Sequence, residues 1–361
     1  MRISLNEGDT IPLSNLSLGG DPEFEVYDLL DREVVYAGML SPSLRSFGPI
    51  GLDGSGAQVE LRPLPAKSPS IYVENAWALI GSFHRYYDGN YRLCLQGDTY
   101  PLGGHIHIGS TSEEEVEFLQ FHADKFVCVL DDFVGRVLLP TSGWARGRYY
   151  CLSSFELKPW GWEYRTPPAS FYIDPLWVYV VYKLTFKLVK ELAFRGELSY
   201  ERDANGVPLE REYLRFLTRE ELEIFMSFPR KWERMREEGS VFPPQKEVKR
   251  TFLYLSHSDE WDEDKWSAFK NALQNIKPKE PLEVVLYGLK ESRGEVWAIR
   301  TAPEVFRLRD PFPKPEVEEG PIPTIWVGVP YRWRRREVPP KRLLSEFKCW
   351  VKELLAQYGW L

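Results

Sequence analysis

The sequence predicts an α+β protein in which antiparallel strands carry a polar face, helices pack outside them, and a small α+β extension follows. Three observations predict it. In the first half of the chain, short segments alternate apolar and polar residues, the two-residue period of a half-buried strand. Between and after them run longer segments with apolar residues at helical spacing and recognisable caps. Beyond Gly239 the pattern changes, after a VFPPQ stretch that reads as a linker.

The elements follow in order. EFEVYD (23–28), QVELR (58–62), HIHIG (105–109) and WEYR (162–165) read as strands. Residues 70–87 carry apolar side chains at helical spacing, and Ser112 before Glu113, Glu114 and Glu115 reads as an N-cap with an acidic first turn. Asp174–Pro175 opens a long helix and Gly196 closes it, with Pro at the first helical position and Gly just past the last. That helix holds the most apolar stretch, 176–194. Lys183, Lys187, Lys190 and Glu191 interrupt it with a wet stripe, so it reads as amphipathic and not as a membrane span. Thr218 and Glu221 form a capping box for a further helix, expected to be disturbed at Pro229. The expected division is a core of residues 1–238 and a module of residues 239–361. The module reads as a strand (251–255), a helix (259–276) and two strands flanking LKESRG, then a Pro- and Glu-rich connection (310–324) and an amphipathic helix (341–358).

Composition limits the function classes. With 361 residues, 43% hydrophobic, 27% charged and a net charge of −7, the chain is an ordinary globular protein without the basic excess of a nucleic-acid binder. Thirteen Trp, 19 Tyr and 20 Phe supply a substantial core. Cys94, Cys128, Cys151 and Cys349 form no CxxC pair, which fits a reducing cytoplasm and removes a zinc ribbon. The first residues lack the apolar run of a signal peptide. A cytoplasmic location is therefore expected. Arg332, Arg334, Arg335 and Arg336, beside Tyr331 and Trp333, read as a charged edge or interface rather than a nucleic-acid contact in so acidic a chain.

The informative pattern is the composition of the polar faces. Alternation places Asp21, Glu23 and Glu25 on one face, Glu60 with Arg62, His105 with His107, and Glu163 with Arg165. Any one such strand also fits a plain solvated face. Together, however, the faces carry carboxylates, histidines and arginines, the groups that bind hard cations and phosphates. Carboxylates crowded on one sheet repel unless a cation neutralises them. Oxygen ligands with an imidazole favour Mg²⁺ or Mn²⁺, while two histidines and a carboxylate would also satisfy zinc.

GGDPEFE, DGSGAQVELRP, GGHIHIG and KPWGWEYRTPPAS, in that order, resemble the motifs of the carboxylate–amine ligases (amidoligases) of phages and prokaryotes, a family similar in fold to glutamine synthetase and glutamate–cysteine ligase. The resemblance spans roughly residues 18–170. It implies a glutamine-synthetase-like half-barrel of antiparallel strands carrying the active site. It also implies metal ligation by Asp21, Glu23, Glu25, Asp53, Glu60, His105 and Glu163. Asp21 stands where glutamine synthetases have glutamate, a shorter reach. His107 would lie nearer the nucleotide phosphates, Arg165 at the transferred phosphoryl group, Arg62 among the catalytic residues, and Arg146 and Arg148 at phosphate or substrate. The implied reaction joins a carboxylate to an amine through an acyl phosphate, with ATP and Mg²⁺ or Mn²⁺ as cofactors. The expected partners are small-molecule or peptide substrates, with no membrane and a homo-oligomer allowed.

The chain has no G-x-x-x-x-G-K-[ST], no GxGxxG and no G-x-S-x-G. His84, His122 and His257 read as surface or core residues. Two rivals share the same strands: a metal-dependent hydrolase working without ATP, and a non-catalytic binding protein that kept the fold.

Overall fold

A computed structural model describes residues 1–6, 9–40, 50–54, 56–86, 90–145, 149–244, 250–254, 282–290, 293–302, 305–308 and 324–330. The chain divides into two compact units. The first comprises Met1–Arg45 and Ile50–Lys246, and the second comprises Ser46–Pro49 and Glu247–Leu361.

The first unit contains, in chain order, strands β1 (Arg2–Ser4), β2 (Leu16–Gly20), β3 (Glu23–Asp28), β4 (Glu33–Val35), β5 (Ile50–Leu52) and β6 (Val59–Leu61). Helix α1 (Pro69–Tyr86) leads to β7 (Tyr91–Cys94) and β8 (Ile106–Ser110). Helices α2 (Glu113–Phe121) and α3 (Ala123–Leu130) follow, and a π-helical turn (Asp131–Gly135) joins α3 to the short α4 (Arg136–Leu138). Strands β9 (Phe155–Lys158) and β10 (Gly161–Tyr164) precede the long helix α5 (Pro175–Arg195), then β11 (Glu197–Ser199), α6 (Glu210–Tyr213) and α7 (Arg219–Glu237).

The four strands bearing the motifs do not share one sheet. They divide between two antiparallel sheets, one ordered β2-β8-β10-β9 and the other β4-β3-β6-β5, with β7 also on β3. The sheets join where β2 runs into β3 through Asp21 and Pro22 alone. Proline has no N–H to continue a ladder, so the chain leaves the first sheet there and enters the second. Both sheets are open, and no barrel closes among the described residues. The fold is thus α+β and antiparallel in this unit, and the polar motifs arrive from two sheets.

Alternation does place the apolar side chains as read. Phe24, Val59, Ile106, Ile108, Trp162 and Tyr164 are all fully buried. The α5 helix begins as predicted: the Asp174 side chain accepts from the Leu176 N–H, Pro175 follows, and Gly196 ends it in the left-handed region at φ 72°. The Thr218–Glu221 capping box is also present. Two helix readings, one of a cap and one of a break, need correction. Ser112 makes no side-chain cap; Glu115 instead reaches back to accept from the Ser14 and Asn15 N–H groups and the Ser110 hydroxyl. Helix α7 runs unbroken through Pro229, because burial of Leu222, Phe225, Phe228 and Trp232 along one face holds it past the missing hydrogen bond. His84 and His122 are core residues. No helix among the described residues is long and apolar enough to cross a membrane.

The second unit forms a five-stranded sheet of β12 (Arg250–Tyr254), β13 (Leu282–Lys290), β14 (Arg293–Ala302), β15 (Val305–Leu308) and β16 (Thr324–Pro330), ordered β12-β16-β13-β14-β15. The hairpin around the predicted turn is β13–β14. The sequence reading missed β15 and β16, and β16 pairs in parallel with both β12 and β13. The predicted helices at 259–276 and 341–358, the connection at 310–324 up to β16, and His257, Cys349 and Arg332–Arg336 lie outside the described residues.

Candidate metal centre

Two groups of ligand-type side chains converge where the sheets meet. The first comprises Asp21, His105 and Glu163; the second comprises Glu23, Asp53 and Glu60. Within each group, one ligand atom per residue lies within 4.8 Å of the others. Six of the seven predicted metal-ligating residues are therefore brought together, in two groups linked through Asp21-Pro22-Glu23.

In the first group, His105 Nδ1 lies 3.2 Å from Asp21 Oδ1 and 3.1 Å from Glu163 Oε1. Burial disfavours the imidazolium, but the two adjacent carboxylates outweigh it and hold His105 well above the usual histidine range. Burial likewise works against ionised Asp21 and Glu163, yet the nearby histidines hold both carboxyls below their ordinary values. Histidine 107 enters from β8, directly opposite Glu163 on β10. Its Nε2 is 3.2 Å from Asp21 Oδ1, and its ring lies against Trp160 with centroids 4.8 Å apart. Those two atoms are out of line for a hydrogen bond: Asp21 Oδ1 and His107 Nε2 are both buried without a hydrogen-bond partner. Buried orphaned atoms of this kind call for an occupant.

In the second group, Glu23 and Glu60 face each other across the β3–β6 pair, and Asp53 lies just past the end of β5. Burial, reinforced by the neighbouring carboxylates, pushes Glu23 up to about 7. It pushes Glu60 up to about 8, against the pull of Arg62. Arg62 Nε sits 2.6 Å from Glu60 Oε1, and the guanidinium also donates to the Leu52 carbonyl, tying Glu60 to the end of β5. Three oxygen donors so crowded match a hard divalent cation. Both groups thus fit Mg²⁺ or Mn²⁺ by donor chemistry.

Glycines build the close approach. Gly103 N–H donates to Glu23 Oε2 at 2.7 Å, while its carbonyl accepts from the Glu23 N–H at 2.9 Å. A Cβ on Gly103 would stand 2.5 Å from His105 Nε2, so the residue touches both groups at once. Behind β2, the Tyr72, Tyr172 and Tyr182 hydroxyls form a buried chain that ends on the Gly19 carbonyl. A Cβ on Gly20 would collide with the Tyr182 hydroxyl.

The remaining predicted residues divide. Arg165 is partly exposed; it donates to Glu156 Oε2 at 2.5 Å and lies 3.5 Å from Glu163 Oε1. The structure does not bring Glu25 to either group. Its carboxylate is fully buried and accepts from the N–H groups of Gly97, Thr99 and Tyr100, so the side chain anchors a loop. Arg146 and Arg148 lie outside the described residues. Sequence reasoning missed Lys158 and Glu156 on the edge strand β9. Lys158 Nζ lies 3.0 Å from Glu163 Oε2 and 2.9 Å from Glu156 Oε1. The same alternation in FELK carried that signal. It also missed Asp131 in the π-helical turn, which accepts from the Tyr164 and Thr166 hydroxyls and the Ser153 N–H directly behind β10.

Comparison with curated proteins finds no match. A family model does match, over residues 18–267, well over half of the chain and including every residue of both groups. With four motifs in order and a family model matched across them, the chain belongs to the phage phiEco32-like COOH.NH2 ligase-type 2 family of carboxylate–amine ligases.

Proposed function

We propose that this ligase activates its carboxylate with ATP and passes an acyl phosphate to the amine, at a site built on the two ligand groups. The observation that carries the reading is the convergence of Asp21, His105 and Glu163 with Glu23, Asp53 and Glu60 at one junction of two antiparallel sheets. The same junction supports reading the two open sheets as a glutamine-synthetase-like half-barrel.

An ionised carboxylate repels an incoming amine and offers no good leaving group. In the proposed reaction its oxygen attacks the γ-phosphorus of ATP, the bond to the bridging oxygen breaks, and ADP departs. The amine nitrogen then attacks the acyl carbon and gives up a proton to solvent, the C–O bond to phosphate breaks, and phosphate leaves as the amide forms. Mg²⁺ or Mn²⁺, held by the two groups, would supply the positive charge that lets one anion approach another. Arg165, at the exposed edge of the first group beside Glu163, would meet the charge that develops on the moving phosphoryl group. Loss of a comparable donor costs on the order of 10²–10³ in rate. Arg62 fixes Glu60, and His107, beside Asp21, would lie nearer the phosphates. The substrates are small-molecule or peptide carboxylates and amines, and the setting is cytoplasmic.

The test is ADP release with Mg²⁺ or Mn²⁺ across a panel of amino acids, amines and peptides, with Glu23→Ala and His105→Ala as controls. Release stimulated by a carboxylate–amine pair and abolished in both variants is expected. Near-wild-type release in either variant would sink the metal assignment. Turnover of an amide or phosphoester without ATP would favour the hydrolase, and absence of nucleotide and metal binding by calorimetry would favour the non-catalytic binder.

A further inference from the structure

The two oxygens of Glu163 are each faced by a cationic side chain. Lys158 Nζ lies 3.0 Å from Oε2, while His105 Nδ1 at 3.1 Å and Arg165 Nε at 3.5 Å face Oε1. Lys158 and Arg165 are further held as a pair by one carboxylate, since Glu156 gives one oxygen to each, at 2.9 and 2.5 Å. Glu156 itself lies opposite Glu163 across the β9–β10 ladder. The result is a row of alternating charge along the edge of the first sheet, ending at a ligand of the first group.

We propose that Lys158 exchanges partners during the ligase cycle: it neutralises Glu163 before a divalent cation binds, and afterwards its ammonium anchors a phosphate of the nucleotide. The proposal rests on the ATP-dependent reading above. Its physical basis is competition for Glu163 Oε2. An ammonium 3.0 Å from a carboxylate oxygen occupies the space that a cation bound to that oxygen would claim. A like-charged ion arriving there repels Nζ, and Glu156 is already shared with Arg165. Lysine, a compact charge on a flexible stem, can swing to a new oxyanion while Glu156 keeps it at the site's edge. A phosphate there would meet Lys158 and Arg165 together.

An ordinary surface ion pair would leave ligand affinities unmoved when deleted, so binding constants distinguish the two roles. The variants are Lys158→Met, which keeps the stem and removes the charge, and Lys158→Arg, which keeps the charge. Mn²⁺ binding without nucleotide is measured by electron paramagnetic resonance. Binding of a non-hydrolysable ATP analogue, AMP-PNP, is measured by calorimetry at saturating Mn²⁺. Lys158→Met is expected to bind Mn²⁺ about fivefold more tightly, the scale of a partly exposed ion pair. It should bind AMP-PNP about tenfold more weakly, the scale of a charge-assisted contact. Lys158→Arg should restore most of the AMP-PNP affinity. A wild-type protein that binds both ligands, with Lys158→Met altering neither constant or only one, would overturn the exchange and leave the ligase reading standing. A wild-type protein that binds neither would overturn both.

Discussion

Replacing Glu25, on β3, tests whether that strand supplies a metal ligand beyond Glu23 or an anchor for the loop after β7. By alternation it shares a face with Glu23, and the family resemblance implies it as a metal ligand; in the fold its Oε1 accepts from Thr99 and Tyr100 at 3.0 and 2.9 Å, and its Oε2 from Gly97 at 3.1 Å. Burial pushes its carboxyl above the ordinary value despite the three donors. Glu25→Gln retains one acceptor oxygen and turns an amide NH₂ towards an N–H. With the oxygen kept on the Thr99–Tyr100 side, the Gly97 bond is lost and that donor is left facing another donor. A hydrogen bond to a charged group contributes about 1.5–3 kcal/mol, and relief of the buried charge offsets part of its loss, so the expected cost is about 2 kcal/mol. Glu25→Ala strands all three N–H groups and should cost about 4 kcal/mol. Urea denaturation followed by tryptophan fluorescence measures both, and Mn²⁺ titration counts the bound ions in each variant. Unchanged stoichiometry with lowered stability is expected. Wild-type stability with one ion lost would show that Glu25 is a ligand and that the loop-anchor argument is wrong.

Other outcomes follow from the same geometry. Glu23 and Glu60 have carboxyls raised to about 7 and about 8, so the stability they permit is complete below the ordinary glutamate value and is lost as pH climbs through 7 to 8. The metal-free protein should therefore lose stability between pH 5 and pH 9 by a few kcal/mol, because each tenfold change in a carboxyl's proton affinity is worth roughly 1.4 kcal/mol. Saturating Mn²⁺ should flatten that slope in urea titrations. For the same reason Mn²⁺ binding at about pH 6.5 should release protons, seen as a dependence of calorimetric heat on the buffer's ionisation enthalpy. Gly103→Ala places a methyl against the His105 ring and should weaken Mn²⁺ binding on the order of tenfold, measured by titration. Asp131→Asn leaves one oxygen to serve Tyr164, Thr166 and Ser153, and should lower stability by about 2 kcal/mol in the urea assay.

What the sequence made legible was local. A two-residue period shows which side chains share a face, and Phe24, Ile106, Ile108, Trp162 and Tyr164 are buried as it requires. Caps at Asp174, Gly196, Thr218 and Glu221 were readable because their partners lie within a few residues. Sheet membership was not. The pairs Glu23–Glu60 and His107–Glu163 join distant segments, and nothing in a strand's own pattern names its neighbour. Glu25 was misplaced because its three donors come from the loop after β7, more than 70 residues away. Lys158 and Glu156 escaped notice although FELK alternates like the other strands; the segment is only four residues long, and nothing in it names β10 as its neighbour. At Pro229, tertiary burial outweighed the local helix-breaking signal.

The division into two sheets has a chemical consequence. Had all the carboxylates stood on one sheet, their spacing would be fixed by the ladder, with neighbouring strands about 4.8 Å apart. Instead each group contains residues from different strands or from a strand and the loop beside it, and the dipeptide Asp21-Pro22 sets the offset between the groups. Asp21 serves the first group and Glu23 the second, while Gly103 holds Glu23 through both its N–H and its carbonyl and packs beneath His105. The Tyr72–Tyr172–Tyr182 chain pins β2 immediately upstream through the Gly19 carbonyl. The relative position of the groups is thus determined by a few rigid contacts around a proline-locked link, not by the flexible carboxylate side chains. On the reaction proposed above, which brings two anions together, the side chains holding the charge must be fixed on either side of the reacting atoms, and two groups set apart by a junction between sheets suit that better than one flat face.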